Sequence, residues 1–105
     1  MRIISERAKV TTACMGNEAY DAEIEIEELI DGEYVTLYIH ANIYGETHYS
    51  VSKQSMYDYM TGLSDIDPGD VDFIEEYDDF DETKSSQYKK YFEIADRLLN
   101  DLLKF

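Results

Sequence analysis

The sequence predicts an α+β fold in which a four-stranded antiparallel meander packs against a C-terminal helix, with one short helix and an acidic connecting segment between them. Three observations lead to this prediction. Apolar and polar residues alternate in the first half of the chain, an apolar stripe of helical period lies at its C-terminal end, and an acid-rich run joins the two. The 105 residues have the length of one domain, which we divide into a sheet (1–52), a short helix (53–63), an acidic segment (64–83) and a C-terminal helix (84–105).

The clearest local pattern is the alternation on both sides of Asp31-Gly32, a dipeptide typical of two-residue hairpin turns. Pairing Ile30 with Glu33 predicts two antiparallel strands within 21–43. Their apolar face contains the pairs Ile24/Ile39 and Ile26/Leu37, with Glu28/Val35 as the exception. Their other face contains the pairs Glu23/His40, Glu25/Tyr38 and Glu27/Thr36. Because a slip of one residue would exchange the two faces, the register is strongly specified.

The same alternation predicts a strand on each side of this hairpin. Residues 2–14 are rich in β-branched side chains and form the first strand. A turn at 44–46 leads to the fourth strand, about 47–52, with Tyr49 and Val51 on the apolar face. We therefore expect a sheet with one apolar side and one acidic side.

The period of the apolar residues changes after Ser52. Met56, Tyr59, Met60 and Leu63 recur at helical spacing, which predicts a short helix over 53–61 that Ser52 caps and Gly62 ends. A wide apolar stripe near the C-terminus predicts a helix over 84–104 that covers the apolar side of the sheet. The stripe consists of Tyr88, Tyr91, Phe92, Ala95, Leu98, Leu99, Leu102 and Leu103.

Negative charge is concentrated in the middle of the chain. The formal net charge is −15, yet the ends of the chain carry most of the basic residues, and Lys53 is the single base between Val10 and Glu82. The densest part, 64–82, contains ten acids and no base. Because a field of one sign steers oppositely charged partners, this pattern indicates a basic protein surface as the partner, and neither nucleic acid nor an anionic membrane as a direct ligand.

The candidate partner-binding residues are the carboxylates of that segment and of the predicted acidic strand. They are Asp65, Asp67, Asp70, Asp72, Glu75, Glu76, Asp78, Asp79, Asp81 and Glu82, with Glu23, Glu25 and Glu27 on the sheet. Alternate residues of a strand lie about 6.6–6.8 Å apart, and each strand of a DNA duplex carries one charge per about 3.4 Å. The linear charge densities are of the same order, so such carboxylates can stand in for phosphates. The alternative is that they only solvate the surface.

The sequence contains no motif that indicates an enzyme. A Gly-rich phosphate loop, HExxH and GxSxG are all absent. We therefore predict no catalytic residues and no cofactor. A thiol–imidazole pair of Cys14 with His40 or His48 is an alternative that no local pattern supports.

Calcium binding is another alternative for the acidic segment. Asp65-Ile66-Asp67 begins like an EF-hand loop, and Glu76 falls at its twelfth position. The match fails where the sharp turn requires glycine, because Asp70 stands at position six. Only loose cation binding is expected from such a cluster.

Cys14 is the only cysteine, so no disulfide can form within the chain. No apolar run is long enough to span a bilayer, and the N-terminus lacks the pattern of a signal peptide. We therefore expect a reduced, cytoplasmic setting. The partner expected there is a basic nucleic-acid-binding protein.

In size, charge and build, the sequence resembles the small acidic DNA-mimic proteins with which phages and mobile elements inhibit host defence, namely anti-CRISPR and anti-restriction proteins. The resemblance rests on the acid-only block 64–82, the row Glu23, Glu25 and Glu27, and the compact α+β pattern. It implies a stoichiometric inhibitor that acts in the cytoplasm of a bacterial host and occupies the DNA-binding groove of a Cas nuclease or a similar defence protein. The alternative is an acidic adaptor that binds a basic partner without displacing nucleic acid.

Overall fold

Five antiparallel strands lie side by side in sequence order in the computed structural model, which describes residues 1–12 and 16–104. The strands are β1 (Arg2–Thr12), β2 (Glu18–Ile30), β3 (Glu33–Tyr44), β4 (Glu46–Ser52) and β5 (Phe73–Tyr77). Two α-helices, α1 (Met56–Met60) and α2 (Lys89–Leu103), complete the described part of the α+β fold. The predicted fold class is confirmed, and the sheet has one strand more than predicted.

The predicted register of the central hairpin is confirmed. Ile30 pairs with Glu33, and the pairs Ile26/Leu37 and Ile24/Ile39 follow as expected. Both turn residues have positive φ angles, 51° at Asp31 and 82° at Gly32. Such angles match the right-handed twist of the two strands, and Asp-Gly adopts them at low cost.

The predicted turn at 44–46 is also present, because Tyr44 pairs with Glu46 across Gly45. Tyr49 then lies opposite Ala41, and Val51 lies opposite Ile39, on the apolar side of the sheet. The first strand begins at Arg2, as predicted, and its described part ends at Thr12. Cys14, and with it the thiol–imidazole alternative, lies outside the described residues.

The additional strand, β5, lies inside the acidic segment, for which no strand was predicted. It pairs antiparallel with β4, and the pairing shifts by one residue between Ser52/Phe73 and Val51/Glu75. Such a bulge places an extra residue, Ile74, in the strand and breaks the alternation from which a strand is recognised. The segment also contains short 3₁₀ helices at Pro68–Asp70 and Phe80–Ser85.

Both helices begin later than predicted. Helix α1 starts after Ser55, whose hydroxyl accepts a hydrogen bond from the Asp58 amide over 3.0 Å. Ser52, the predicted cap, instead ends β4 and donates its hydroxyl to the Gln54 carbonyl. Helix α2 starts at Lys89, because the preceding residues form the second 3₁₀ helix.

The hydrophobic core lies between α2 and the apolar side of the sheet. Tyr49 and Tyr77 each pack edge-on or nearly so against Phe92, with ring centroids 6.3 and 5.8 Å apart. The buried members are Ala22, Ile24, Ile26, Leu37, Ile39, Ala41, Tyr49, Val51, Tyr88, Tyr91, Phe92, Ala95 and Leu99. Glu28, the exception on this side, is half-buried and accepts a hydrogen bond from Tyr88 Oη over 2.9 Å.

We expect the Ile26→Ala substitution to lower the free energy of unfolding by about 2–5 kcal/mol, because it leaves a cavity in a fully buried site. Glu25→Ala, on the neighbouring position and the opposite face, is the matched control and should be nearly neutral. Urea denaturation of the two variants measures both values. A larger loss for Glu25→Ala would contradict the assignment of the two faces.

Two tyrosines of the core donate to carboxylates, Tyr49 to Asp96 and Tyr88 to Glu28. Burial, together with the neighbouring carboxylate, raises the pKa of each hydroxyl well above its usual value of about 10. Above a pH of about 10 the unfolded chain releases tyrosine protons that the folded protein keeps. The contribution of these hydroxyls to stability is therefore complete below that pH and decreases as the pH rises further. We expect the ultraviolet absorbance of tyrosinate to appear at lower pH in urea than in buffer; coincident titrations would contradict these shifts.

Candidate functional site

The acidic segment leaves α1 and returns along the free edge of β4. Its backbone is held by two contacts near its middle: the Lys53 amide donates to the Asp72 carbonyl over 3.0 Å, and the Asp72 amide donates to Gln54 Oε1 over 2.7 Å. Val71, between the first 3₁₀ helix and β5, is buried. The segment therefore has a defined path in the protein, with its apolar residues serving in part as anchors.

Nine of its ten carboxylates are exposed, and Glu75 is half-buried. We call this set the acidic edge: Asp65, Asp67, Asp70, Asp72, Glu75, Glu76, Asp78, Asp79, Asp81 and Glu82. Strand β5 lies at one end of the strand order, with β4 as its neighbour in the described part of the sheet. Glu75 and Glu76 lie in this strand, and the other eight carboxylates lie in the chain on either side of it.

Little of this charge is neutralised by neighbouring bases. Within residues 1–12 and 16–104, the ion pairs of the acidic edge are His48 with Asp78, at 3.3 Å, and Lys84 with Asp81, at 3.1 Å. Both pairs are largely exposed, and such pairs contribute little to stability. The edge therefore presents a dense negative charge to solvent.

Three of these carboxylates have a local structural role. Asp67 Oδ1 accepts from the Gly69 amide over 2.9 Å, and Asp79 Oδ1 accepts from the Asp81 amide over 2.8 Å, so each caps a 3₁₀ helix. Glu75 accepts from Tyr77 Oη over 2.5 Å. Substituting these three would disturb the segment itself, whereas Asp65, Asp70, Asp72 and Glu76 make no such side-chain contact in the described part of the structure.

The prediction that Glu23, Glu25 and Glu27 form a solvent-facing acidic row on the sheet is wrong. Glu23 is fully buried, and Glu25 and Glu27 are half-buried. Ser5 Oγ donates to Glu25 over 3.1 Å, and Arg2 pairs with Glu27 at 3.1 Å. The reason is that α1 folds back over this side of the sheet, so the row is divided between a buried and a partly covered part.

Glu23 is the centre of a buried polar network under α1. Its Oε1 accepts from Arg7 Nη2 and Ser55 Oγ, both over 2.7 Å, and its Oε2 accepts from the Tyr57 amide over 3.1 Å. Arg7 Nη1 also lies 2.8 Å from Asp58, and its guanidinium group stacks 4.4 Å from the centroid of the Tyr57 ring. The carboxylate thus attaches the helix to the sheet, and Arg7 offsets its charge.

A second buried carboxylate, Asp21, lies two residues earlier on the same face. Its Oδ1 lies 2.8 Å from both His40 Nε2 and Asn42 Nδ2. Its Oδ2 is buried and has no hydrogen-bond partner among the described residues. Sequence reasoning missed this cluster, although the predicted register already placed Asp21 opposite Asn42 and beside His40.

Potential metal ligands are not grouped in the described part of the chain. In the described parts of the chain, no three His, Cys, Asp or Glu residues are grouped so as to hold a metal ion. The EF-hand resemblance also fails in three dimensions, because Asp67 caps a 3₁₀ helix and Glu76 lies in a strand. These residues do not form the helix–loop–helix geometry of an EF-hand calcium site.

In comparisons with known proteins, no family model matches the chain, and no curated protein or solved structure matches it significantly.

We expect Glu23→Ala to lower the free energy of unfolding by about 3 kcal/mol or more, because it leaves the partly buried Arg7 and the Tyr57 amide without their acceptor. Glu27→Ala, which removes a carboxylate from the same strand and face, is the control and should change stability by less than about 1 kcal/mol. Chemical denaturation of both variants gives the comparison. Equal, small losses would show that the Glu23 network does not attach α1.

Proposed function

We propose that the protein is a stoichiometric inhibitor that presents carboxylates in place of nucleic-acid phosphates and occupies the basic DNA-binding groove of a host defence nuclease, such as a CRISPR effector. The observation that carries this proposal is the acidic edge, with ten carboxylates of which nine are exposed. Arginine and lysine side chains that normally contact phosphate would contact these groups instead. The inhibitor would compete for the groove and modify nothing.

The anchored backbone of the acidic edge supports this mode of action. Contacts from Lys53 and Gln54 hold the segment at Asp72, and pairing with β4 holds β5. A surface that is ordered before binding loses less conformational entropy when it binds than a flexible tail does. The same charges on a disordered tail would bind with a larger ordering cost.

The structure narrows the proposed contact surface. Glu23 is buried and is no longer a candidate contact, while Glu25 and Glu27 are half-buried and already hydrogen-bonded or ion-paired. The acidic edge alone therefore carries the proposal. Within it, Asp65, Asp70, Asp72 and Glu76 are the side chains best placed to contact basic residues without loss of structure.

A second candidate function is an acidic adaptor that binds a basic partner and leaves its nucleic acid in place. It is favoured by exposed apolar side chains beside the carboxylates, since Leu63, Phe73 and Ile74 are 67%, 37% and 43% exposed. Apolar side chains at the centre of a contact are typical of protein–protein interfaces. The two candidates differ in one measurable property, because only the mimic must displace nucleic acid.

A partner in the membrane is not part of either proposal. No helix among residues 1–12 and 16–104 has the length and apolar character to cross a bilayer. A cytoplasmic bacterial setting belongs to the proposal, because CRISPR effectors and restriction enzymes act there.

The test is a charge reversal of Asp70, Asp72 and Glu76 to Lys. We expect it to slow association with the target nuclease and to raise the concentration needed to displace a labelled DNA duplex by more than about tenfold, because exposed charges act mainly on encounter. Mobility-shift assays with a panel of candidate nucleases measure the displacement. Circular dichroism checks that the variant remains folded.

The matched control reverses Glu6, Glu33 and Glu93, which are also exposed and change the net charge by the same amount, but lie outside the acidic edge. It should retain displacement to within about threefold, since distant exposed charges are screened at physiological salt. Equal losses in both triple variants would mean that total charge matters and that the acidic edge is not the contact surface. A wild-type protein that binds nucleases but displaces no DNA would favour the adaptor.

A further inference from the structure

A cleft of about 690 Å³ lies on the side of the sheet that faces away from α2. Its walls come from the ends of β1 to β4 and from the C-terminal end of α1, and its described lining includes Thr11, Ala19, Asp21, Asn42, Tyr44 and Tyr59. The volume is within the range of small-ligand sites, which is about 300–1,000 Å³. The proposed inhibitor function makes no use of this cleft.

Asp21 gives the cleft its chemical character. Its side chain is fully buried, and one oxygen already accepts from Asn42 and contacts His40. The other oxygen, Oδ2, has no hydrogen-bond partner among the described residues. A buried acceptor without a donor is unfavourable, and native proteins rarely keep one unless a ligand or water supplies the donor.

The rest of the lining favours a small organic cation as that donor. The described lining contains no Lys or Arg, and it contains the rings of Tyr44 and Tyr59 and the thioether of Met60. Aromatic rings attract cations, and the apolar atoms suit a short alkyl chain. The net charge of −15 raises the local concentration of cations and disfavours anionic ligands.

We propose that this cleft binds a protonated amine or guanidinium group, with Asp21 Oδ2 as the hydrogen-bond acceptor and counter-charge. Charge-assisted hydrogen bonds of this kind are stronger than neutral ones. The cation can belong to a free alkylamine or to a Lys or Arg side chain of a partner. The chemistry is shared, and the experiment separates the two sources.

A smaller cleft of about 170 Å³ adjoins the first, because both are lined by Asn42, His48 and Met60. It extends to Glu76 and Asp78 of the acidic edge. A cation in the larger cleft can therefore be carried by a chain that leaves along the smaller one. A peptide could therefore place its Lys or Arg side chain in the larger cleft while its backbone continues along the smaller one.

The experiment is an NMR titration of the full chain with butylguanidinium at about 0.15 M salt, where weak surface pairing is screened. N-butylurea is the control ligand, because it has the same shape and no charge. We expect saturable shifts of Thr11, Ala19, Thr61 and the Asn42 side-chain amide with butylguanidinium, and none with the urea. Shifts spread over 64–82, without saturation, would show general counter-ion binding and overturn the proposal.

Asp21→Asn removes the acceptor charge with little change of shape, and Asp70→Asn makes the same charge change on the exposed acidic edge. Affinity should fall by at least about tenfold in Asp21→Asn and by less than about twofold in Asp70→Asn, because only the first loses the buried charge-assisted bond. Equal affinities in the two variants would overturn the site. Amide spectra verify the fold of both.

Met60→Lys is a second variant, in case Asp21→Asn does not fold. Met60 lines both clefts and is 41% exposed, so we expect the substitution to leave the fold intact and to place a cation of the chain itself beside the site. It should weaken butylguanidinium binding by about tenfold through competition and repulsion. Unchanged binding would contradict the proposed location.

Titration with a peptide distinguishes the two possible sources of the cation. A terminally blocked Arg peptide that binds at least as tightly as butylguanidinium, with further shifts at Glu76 and Asp78, indicates a partner side chain. A peptide that does not bind, while butylguanidinium does, indicates a free small molecule. If the wild-type protein binds neither butylguanidinium nor the peptide but still displaces DNA, this site is refuted and the proposed inhibitor function stands.

Discussion

The register of the β2–β3 hairpin is the constraint on which the rest of the structure depends. The Asp31-Gly32 turn sets it, and every residue of both strands then has an assigned face. One face carries Ile24, Ile26, Leu37 and Ile39 to α2, and the other carries Asp21, Glu23, His40 and Asn42 toward α1. A shift by one residue would bury the wrong set on both sides, so the core and the polar network are specified by the same turn.

Burial of two carboxylates in a chain of net charge −15 requires compensation nearby. For Glu23 it comes from Arg7, which lies directly opposite on β1, and from donors at the start of α1. For Asp21 it comes from His40 and Asn42 on the neighbouring strand, and these leave one oxygen unsatisfied among the described residues. Arg7, one of the few bases near the N-terminus, thus neutralises a carboxylate inside the protein, and the acidic edge keeps most of its charge.

The sequence was sufficient to predict strands β1 to β4, the hairpin register and the existence of the C-terminal helix, because each has a regular apolar period that a short stretch of sequence contains. It was insufficient to predict β5, since the bulge at Ile74 breaks the alternation of apolar and polar residues. The adjacent acids Glu75 and Glu76 are also more typical of a solvated loop than of a strand. The start of α1 was misplaced because Ser52 and Ser55 are both good caps, and the contact that favours Ser55, its hydrogen bond to Glu23 on the sheet, is not visible in the local sequence.

The burial of Glu23 shows a more general reason why part of the site could not be predicted. Alternation assigns a side chain to a face but does not say which later element covers that face. The ten acids of 64–82 could be recognised without this knowledge, because a dense charge of one sign stays at the surface wherever the chain runs. The cleft at Asp21 could not, since it exists only where the ends of β1 to β4 meet the end of α1.

The acidic edge and the Asp21 cleft use negative charge in physically different ways. Charges exposed on the edge act over distances comparable to the screening length, about 8 Å at physiological salt, so in the proposed function they would affect mainly the rate at which a basic partner associates. The charge of Asp21 is removed from water, so it acts at contact distance and is screened little. Raising the salt concentration should therefore weaken any association that depends on the edge far more than binding in the cleft. The smaller cleft connects the two sites, because it shares His48 with the Asp21 cleft and reaches Glu76 and Asp78 of the acidic edge. In the proposed functions, one partner could use the edge for encounter and the cleft for retention.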